Sequence, residues 1–158
     1  MCFVLDSNSF HCFFNPACSA YYDFEPLHNW LYKTTGTKIV YGGTTNLNEI
    51  SRLEKYLPYL VELRKISKLI QIDTKLVDEE TERIKAVINN KDCDDPHIIA
   101  LLAVSGCLVF ASQDKRADKY IKRKNLYPKN TPRRSIYRQR SHSNLLKADN
   151  IVTIQNEI

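Results

Sequence analysis

The chain has 158 residues, which is enough to bury the core of one domain. Its 43% apolar and 26% charged residues are typical of a globular protein. No apolar run approaches the roughly 20 residues that span a bilayer. The apolar start lacks a basic flank and is interrupted by Asp6, which argues against a signal peptide. We therefore expect a single domain over residues 1–158 and a cytoplasmic location.

The net charge of +5 is distributed unevenly along the chain. Residues 115–147 contain twelve lysines and arginines and one acid, Asp118, whereas the rest of the chain has an excess of acids. An acidic body with a basic C-terminal segment predicts a polyanionic partner such as nucleic acid. A solvated basic segment without a partner is the alternative interpretation.

The five cysteines are an odd number and form no CxxC pair. Reduced, partly buried thiols are therefore expected rather than a disulfide framework. A zinc site could draw on the cysteines and histidines at positions 11, 12, 18, 93 and 97. Their spacings match no common zinc motif, so the sequence does not predict such a site.

Strands and helices alternate in the first half of the chain. Residues 2–6 are four apolar residues and a carboxylate, which predicts a short buried strand. Ser7-Asn8-Ser9 offers N-cap side chains to a helix that Pro16 ends. The next predicted elements are a helix from Pro26 to Lys33, a strand over 37–41, a helix over 47–63 that breaks near Pro58, and a strand over 69–73.

The second half continues the alternation. An amphipathic helix over 74–88 is predicted to turn Leu76, Ile84, Val87 and Ile88 inward. The later predicted elements are an apolar helix over 98–105 ended by Gly106, a strand over 108–112, a basic helix over 115–124 and a short strand over 150–154. Together the elements predict a three-layer α/β/α fold with a mainly parallel central sheet. Ligands in such folds bind at the carboxyl ends of the strands.

Three acids fall where this architecture binds ligands. Asp6 follows the first strand, Asp114 follows the strand over 108–112, and Asp95 precedes the helix before that strand. Carboxylate oxygens are the hard ligands that Mg²⁺ and Mn²⁺ prefer. Each close pair of carboxylates repels by ~4 kcal/mol at an effective dielectric of about 20, so a cluster implies a cation. The alternative is that Asp95 and Asp114, like Asp94, simply cap helices.

These segments resemble the PIN-domain family of compact α/β/α metal-dependent nucleases. The matching stretches are FVLDSN over 3–8, DPHIIALLA over 95–103 and VFASQD over 109–114. The resemblance covers residues 2–118 and implies an endoribonuclease, a hydrolase in which bound Mg²⁺ or Mn²⁺ activates water. Many members of the family are toxins of bacterial toxin–antitoxin pairs. The implied partners are RNA or single-stranded DNA, an antitoxin protein and a second copy of the chain in a homodimer.

The resemblance also assigns residues by their position. The residues that it makes catalytic and metal-binding are Asp6, Glu49, Asp95 and Asp114. Glu54 is the alternative to Glu49, and Asp118 is either an additional metal ligand or a surface acid. Asn8 and Ser112 would orient the carboxylates. From the charge of the basic segment, the residues expected to bind nucleic acid are Lys115, Arg116, Lys119, Lys122, Arg123, Arg133, Arg134, Arg138 and Arg140, with Tyr127 and Tyr137 as stacking platforms.

Other interpretations remain open beside the nuclease. A PIN-like module could bind nucleic acid or a partner protein without cutting it. His97 is expected to be a packed core histidine, with a hydrogen bond to a carboxylate as the alternative. An aspartate-nucleophile phosphatase would need an acid at position 8, where the chain has Asn8. Gly42-Gly43 lacks the fingerprint of a dinucleotide-binding loop.

Overall fold

The computed structural model describes residues 1–89, 91–147 and 154–158. Its strands are β1 (Cys2–Leu5), β2 (Lys38–Gly42), β3 (Leu69–Ile72), β4 (Val109–Ala111) and β5 (Ser135–Tyr137). They form one sheet in the order β3-β2-β1-β4-β5, and every neighbouring pair is parallel. The predicted parallel α/β sheet is therefore confirmed.

Helices cover both faces of the sheet. They are α1 (Phe10–Phe14), α2 (Tyr21–Lys33), α3 (Thr44–Ser51), α4 (Leu57–Lys65), α5 (Thr74–Ile88), α6 (Pro96–Ser105) and α7 (Asp118–Ile121). Short 3-10 turns lie at Ser7–Ser9, Glu54–Tyr56, Lys124–Leu126 and Arg140–Leu145. Among the described residues, no helix combines the length and apolar character needed to cross a membrane.

Two apolar cores separate the three layers. Successive side chains of a strand point to opposite faces of the sheet, so Val4 enters one core and Phe3 the other. The first core lies between the sheet and α5, α6 and α7, and the second between the sheet and α1, α2, α3 and α4. Helix α6 is buried along almost its whole length, as expected for a helix that is apolar all round.

Helix α2 begins at Tyr21, before Pro26, where we had predicted its start. A proline inside a helix leaves the carbonyl four residues earlier without its N–H partner. Here that carbonyl belongs to Tyr22, and it accepts a hydrogen bond from Arg140 Nε at 3.1 Å. The Arg140 guanidinium also lies 3.9 Å from the centre of the Tyr22 ring. Arg140, distant in sequence, therefore replaces the hydrogen bond that Pro26 cannot donate, and the helix continues past the proline.

The predicted long helix over 47–63 is two helices, α3 and α4, joined by the 3-10 turn Glu54–Tyr56. The break falls at residues 52–53 rather than at Pro58. Pro58 occupies the first turn of α4, where a missing backbone N–H costs nothing.

Helix α5 has the predicted bounds, and Ile84 and Ile88 pack against the core as predicted. Leu76 and Val87 do not: they are 37% and 45% exposed, and Val77 and Thr81 are buried instead. Val77 lies against Gly43: a Cβ added to Gly43 would lie 2.5 Å from Val77 Cγ1. The helix therefore sits in space that a larger residue at position 43 would fill.

The basic segment is folded into the domain. The predicted basic helix over 115–124 is only the single turn α7, and strand β5 lies in a stretch for which no strand is predicted. Strand β5 pairs with β4 along its whole length. The strand predicted over 150–154 falls, apart from Ile154, outside the described residues.

A disulfide joins Cys2 to Cys107, with the two Cα atoms 5.9 Å apart. Both residues are fully buried, one in β1 and the other just before β4. The expectation of reduced thiols is therefore wrong for this pair. It is correct for Cys12, Cys18 and Cys93, which are free.

Candidate metal centre

The candidate site lies at the carboxyl edge of the sheet between β1 and β4. The chain leaves β1 in one direction, toward β2 and β3, and β4 adds on the other side. Such a switch point opens a crevice in which α/β folds bind ligands. Asp6 directly follows β1, and Asp114 comes shortly after β4. We refer to Asp6, Glu49, Asp95 and Asp114 as the acid cluster.

Asp6 is a buried carboxylate with two internal donors. Its Oδ2 accepts from Ser112 Oγ at 2.6 Å, and its Oδ1 accepts from the backbone N–H of Asn8 at 3.1 Å. Asp6 thus caps the turn at residues 7–9, a role that we had assigned to the following serines. Burial raises the pKa of the Asp6 carboxyl, the two hydrogen bonds lower it, and the nearby charges of Glu49 and Asp114 raise it.

Glu49 reaches the cluster from α3. Its Oε2 accepts from Ser7 Oγ at 3.2 Å, and its Oε1 lies 3.1 Å from His97 Nε2. The helix is set against β2 by Asn46, whose buried Oδ1 accepts from Gly42 N–H at 3.0 Å. Of the two glutamates weighed for this role, Glu49 is the one next to the other acids, whereas Glu54 lies exposed on a 3-10 turn.

Asp95 stands at the N-cap of α6, but its side chain makes no capping hydrogen bond. Its carboxylate is therefore free to face the cluster. Burial raises the pKa of this carboxyl, His97 lowers it, and the charges of Asp6, Glu49 and Asp114 raise it. A helix cap alone does not explain this residue, because the side chain does not perform that role.

His97 is the functional candidate that sequence reasoning undervalued. Its side chain is 6% exposed, and Nε2 forms no hydrogen bond with any described residue, despite lying 3.1 Å from Glu49 Oε1. One donor atom each from Glu49, Asp95 and His97 can be chosen so that all lie within 4.8 Å of one another. The signal in the sequence was its place in the first turn after Asp95.

Asp114 is held by a guanidinium. Arg116 donates to both of its carboxylate oxygens: Nε lies 3.1 Å from Oδ1 and 2.9 Å from Oδ2, and Nη2 lies 2.6 Å from Oδ2. Arg116 Nη1 also donates to Asp94 Oδ2 at 3.0 Å. The hydrogen bonds from Arg116 hold the pKa of the Asp114 carboxyl below its usual range. Asp94 is therefore an exposed ion-pair partner rather than the helix cap that we had expected.

The remaining predicted site residues occupy supporting positions. Ser112 Oγ donates to Asp6 and accepts the Asp114 backbone N–H at 3.0 Å, so one hydroxyl fixes two acids. Asn8 contributes its backbone N–H, while the residue itself is exposed. Both carboxylate oxygens of Asp118 are bound by Arg138, at 2.8 and 2.6 Å.

The residues expected to bind nucleic acid differ in exposure. Three are buried or half-buried against partners inside the domain: Arg138 on Asp118, Arg140 on Glu25, and Arg134, which lies 4.1 Å from the centre of the Tyr127 ring. The exposed residues are Lys115, Arg116, Lys119, Lys122, Arg123 and Arg133. Of these, Arg116 also pairs with Asp114 and Asp94.

The exposed basic residues are also spread over two edges of the sheet. Lys115 and Arg116 follow β4 and lie near the acid cluster. Ser135, which opens β5, pairs with Val109 at the start of β4, so Arg133 belongs to the opposite, amino edge. There it lines a groove of about 570 Å³ together with Lys122.

The two tyrosines proposed as stacking platforms are buried. Tyr127 is 8% exposed and Tyr137 is fully buried. Their hydroxyls donate to the backbone carbonyls of Ile121 and Asp23, at 2.8 and 2.7 Å. Neither ring presents a face on which a base could stack.

Comparisons of the chain with protein-family models, with curated proteins and with solved structures found no match. The chemistry of the acid cluster therefore has to be judged from its own donors. Those donors are carboxylates from β1, α3, the start of α6 and the loop after β4, together with one imidazole nitrogen.

Proposed function

We propose that the protein is a metal-dependent nuclease of PIN type that hydrolyses phosphodiester bonds in RNA. The observation that carries the proposal is the grouping of donor atoms from Glu49, Asp95 and His97 within 4.8 Å of one another, with the charges of Asp6 and Asp114 nearby, at the switch point of a parallel sheet. A fold alone does not fix an activity, so the proposal rests on this donor set. A toxin-type role, with an antitoxin partner and a homodimer, is the extension that the PIN resemblance suggests.

The donor set fits a divalent cation. Burial and the neighbouring charges work against ionised carboxylates at both Asp6 and Asp95, and a cation would offset both effects. His97 Nε2 is buried and lies 3.1 Å from Glu49 Oε1 without forming a hydrogen bond, so this nitrogen is available as a ligand to a cation beside Glu49. Oxygen donors favour Mg²⁺ or Mn²⁺, and an added nitrogen donor shifts the preference toward Mn²⁺.

In this proposal Glu49, Asp95 and His97 hold the cation, with Asp6 and Asp114 completing the set. A bound divalent ion would activate water and neutralise charge on the scissile phosphate. Ser112 keeps Asp6 and Asp114 in fixed relation through its hydroxyl. The Arg116 side chain, 65% exposed at the same edge, would bind a phosphate of the substrate, since guanidinium groups pair well with phosphates.

Arg116→Ala is expected to increase the affinity for Mn²⁺ and to weaken RNA binding. The side chain now neutralises Asp114, so it competes with a cation for that carboxylate. Exposed ion pairs are weak, which predicts an increase in Mn²⁺ affinity of about two- to fivefold. Titration of free Mn²⁺ by electron paramagnetic resonance measures the change. Lys115→Ala is the matched control and should leave Mn²⁺ affinity unchanged; an equal change in both variants would contradict the competition.

The proposed activity is tested by incubating the purified protein with single-stranded RNA. Cleavage is expected in Mg²⁺ or Mn²⁺ and is expected to stop in EDTA, because the proposed mechanism uses a bound metal to activate water and to neutralise charge on the phosphate. Restoring the metal should restore the cleavage. Undiminished cleavage in EDTA would contradict a metal-dependent mechanism. Single-stranded DNA of the same sequence shows whether the activity discriminates between the two nucleic acids.

One observation favours the second candidate, a PIN-like module that binds nucleic acid without cutting it. Arg116 already neutralises part of the negative charge at the site through Asp114 and Asp94. That reduces the need for a cation. The module would bind RNA with an affinity that falls as salt rises, and it would show no cleavage with either metal. Such a result would replace the nuclease proposal.

A further inference from the structure

The turn after α1 brings two thiols and an imidazole together. Cys12 Sγ lies 3.9 Å from Cys18 Sγ and 3.2 Å from His11 Nε2. All three donor atoms lie within 4.8 Å of one another. We propose that His11, Cys12 and Cys18 form a second metal site, one that takes Zn²⁺. It is independent of the acid cluster and of the proposed nuclease activity.

The spacing of the donor atoms agrees with zinc coordination. With Zn–S bonds of about 2.3 Å, two thiolates in a tetrahedral site lie about 3.8 Å apart, and the two sulfurs here are 3.9 Å apart. An imidazole nitrogen and a thiolate would lie about 3.5 Å apart, compared with 3.2 Å here. A disulfide would instead require the sulfurs at about 2.05 Å. The separation of the two sulfurs is therefore that of two ligands of one metal, and it is longer than a covalent bond.

The local fold explains how a spacing with no zinc motif produces this arrangement. Helix α1 ends at Phe14, and Asn15 then forms a tight turn by accepting from Ala17 N–H with its side chain and from Cys18 N–H with its carbonyl. The turn returns Cys18 to the side of α1 that carries Cys12. A helix followed by a turn therefore replaces the short loop of a common zinc motif.

The site has both an open position and a path to solvent. Cys12 is buried, Cys18 is half-buried and His11 is exposed, so an ion could enter from the His11 side. Gln113 Oε1 accepts from Cys12 Sγ at 3.1 Å and could supply a fourth, oxygen ligand; otherwise water fills that position. Three protein ligands with one open position are a known form of zinc site.

The two proposed sites differ in the metals that they prefer. Thiolate ligands select Zn²⁺ over Mg²⁺, whereas carboxylates favour Mg²⁺ and Mn²⁺. Binding at the thiols requires the thiolate form, so it releases protons. A large excess of Mg²⁺ should therefore fill the acid cluster and leave the thiol site to the softer ion.

The test uses Co²⁺ as a spectroscopic substitute for Zn²⁺. The buffer contains a phosphine reductant and excess Mg²⁺. The wild-type chain is expected to bind one equivalent of Co²⁺ with a thiolate-to-cobalt charge-transfer band, and Zn²⁺ should abolish the band. Saturating Zn²⁺ at 100 times its Kd should raise Tm by about 5–10 °C. Absence of the charge-transfer band in the wild-type protein would overturn the proposal.

Variants assign the band to its residues. His11→Ala and Cys18→Ser change residues that are not fully buried, so both should fold, and each should weaken Co²⁺ binding at least tenfold. Cys93→Ser removes the remaining free thiol and should leave the band unchanged. Zn²⁺ should also protect Cys18, but not the equally half-buried Cys93, from alkylation in a peptide map. A full-strength band in Cys18→Ser, or equal alkylation of Cys18 and Cys93 with Zn²⁺ present, would refute the site.

Discussion

Asp95→Asn is expected to lower kcat/KM for metal-dependent RNA cleavage by at least ~100-fold, because it removes a charged ligand, and even residues that only orient ligands cost 10- to 100-fold. Asn keeps the shape of the side chain, so the fold should persist. Asp6→Asn should have an effect of similar size. Full activity in both variants would show that the acid cluster is not the catalytic site.

A second measurement separates lost chemistry from lost folding. Burial raises the pKa of the Asp95 carboxyl in the folded protein, so ionisation of this group destabilises the metal-free fold. The wild-type protein therefore loses stability as pH rises through the ordinary carboxyl pKa toward the raised value. Asp95→Asn avoids that loss. In EDTA at neutral pH the variant should be at least as stable as the wild type, and its advantage should disappear in acid.

Glu49 and Glu54 provide the matched comparison for the second acid. Glu49→Gln removes a carboxylate that lies beside His97, whereas Glu54→Gln changes an exposed residue on a 3-10 turn. We expect cleavage to be lost in the first variant and retained in the second. The reverse result would move the second acid to Glu54 and contradict the geometry of α3.

Gly43→Ala is expected to lower the free energy of unfolding by about 2–6 kcal/mol. Two effects combine. Gly43 has φ +83° and ψ 147°, a conformation that costs an L-residue about 1–3 kcal/mol. The new Cβ would also lie 2.5 Å from Val77 Cγ1, and overpacking of this kind typically costs about 1–3 kcal/mol. Urea unfolding measures the change.

Gly36→Ala is the control that separates the two effects. Gly36 has nearly the same φ, +81°, but no atom lies within 4 Å of the position that its Cβ would take. Its substitution should therefore cost only the backbone term. If both substitutions lower the free energy of unfolding by the same amount, the close approach of α5 to position 43 does not add to the cost of Gly43→Ala. Because Gly43 precedes α3, its variant should also displace Glu49 and reduce cleavage.

The parts of the site that the sequence predicts are those set by local order along the chain. Asp6 and Asp114 each follow an apolar strand, and parallel strands bring such residues to a common edge. The orientation of His97 could not be predicted. Its helix is apolar all round, so the pattern does not indicate which side chains face the site and which face the core.

The errors in the second half of the chain have a common physical cause. Charge can be read from a sequence, but the partner of each charge cannot. Arg138 pairs with Asp118, and Arg134 packs on Tyr127. These arginines therefore stabilise the fold instead of forming part of the expected binding surface. Strand β5 has only three residues, too few to show an alternating pattern. The bond between Cys2 and Cys107 joins positions 105 residues apart, which no local pattern can connect.

The division of the exposed basic residues between the two edges of the sheet implies a length dependence for binding of the proposed RNA substrate. Strands rise about 3.3 Å per residue, so the three residues of β4 put roughly 10 Å between its edges. An oligonucleotide of two or three units could occupy the acid cluster without touching the groove lined by Lys122 and Arg133. A longer strand that follows the rim past β5 would gain both contacts. We therefore expect longer oligonucleotides to bind more tightly while the position of cleavage stays the same.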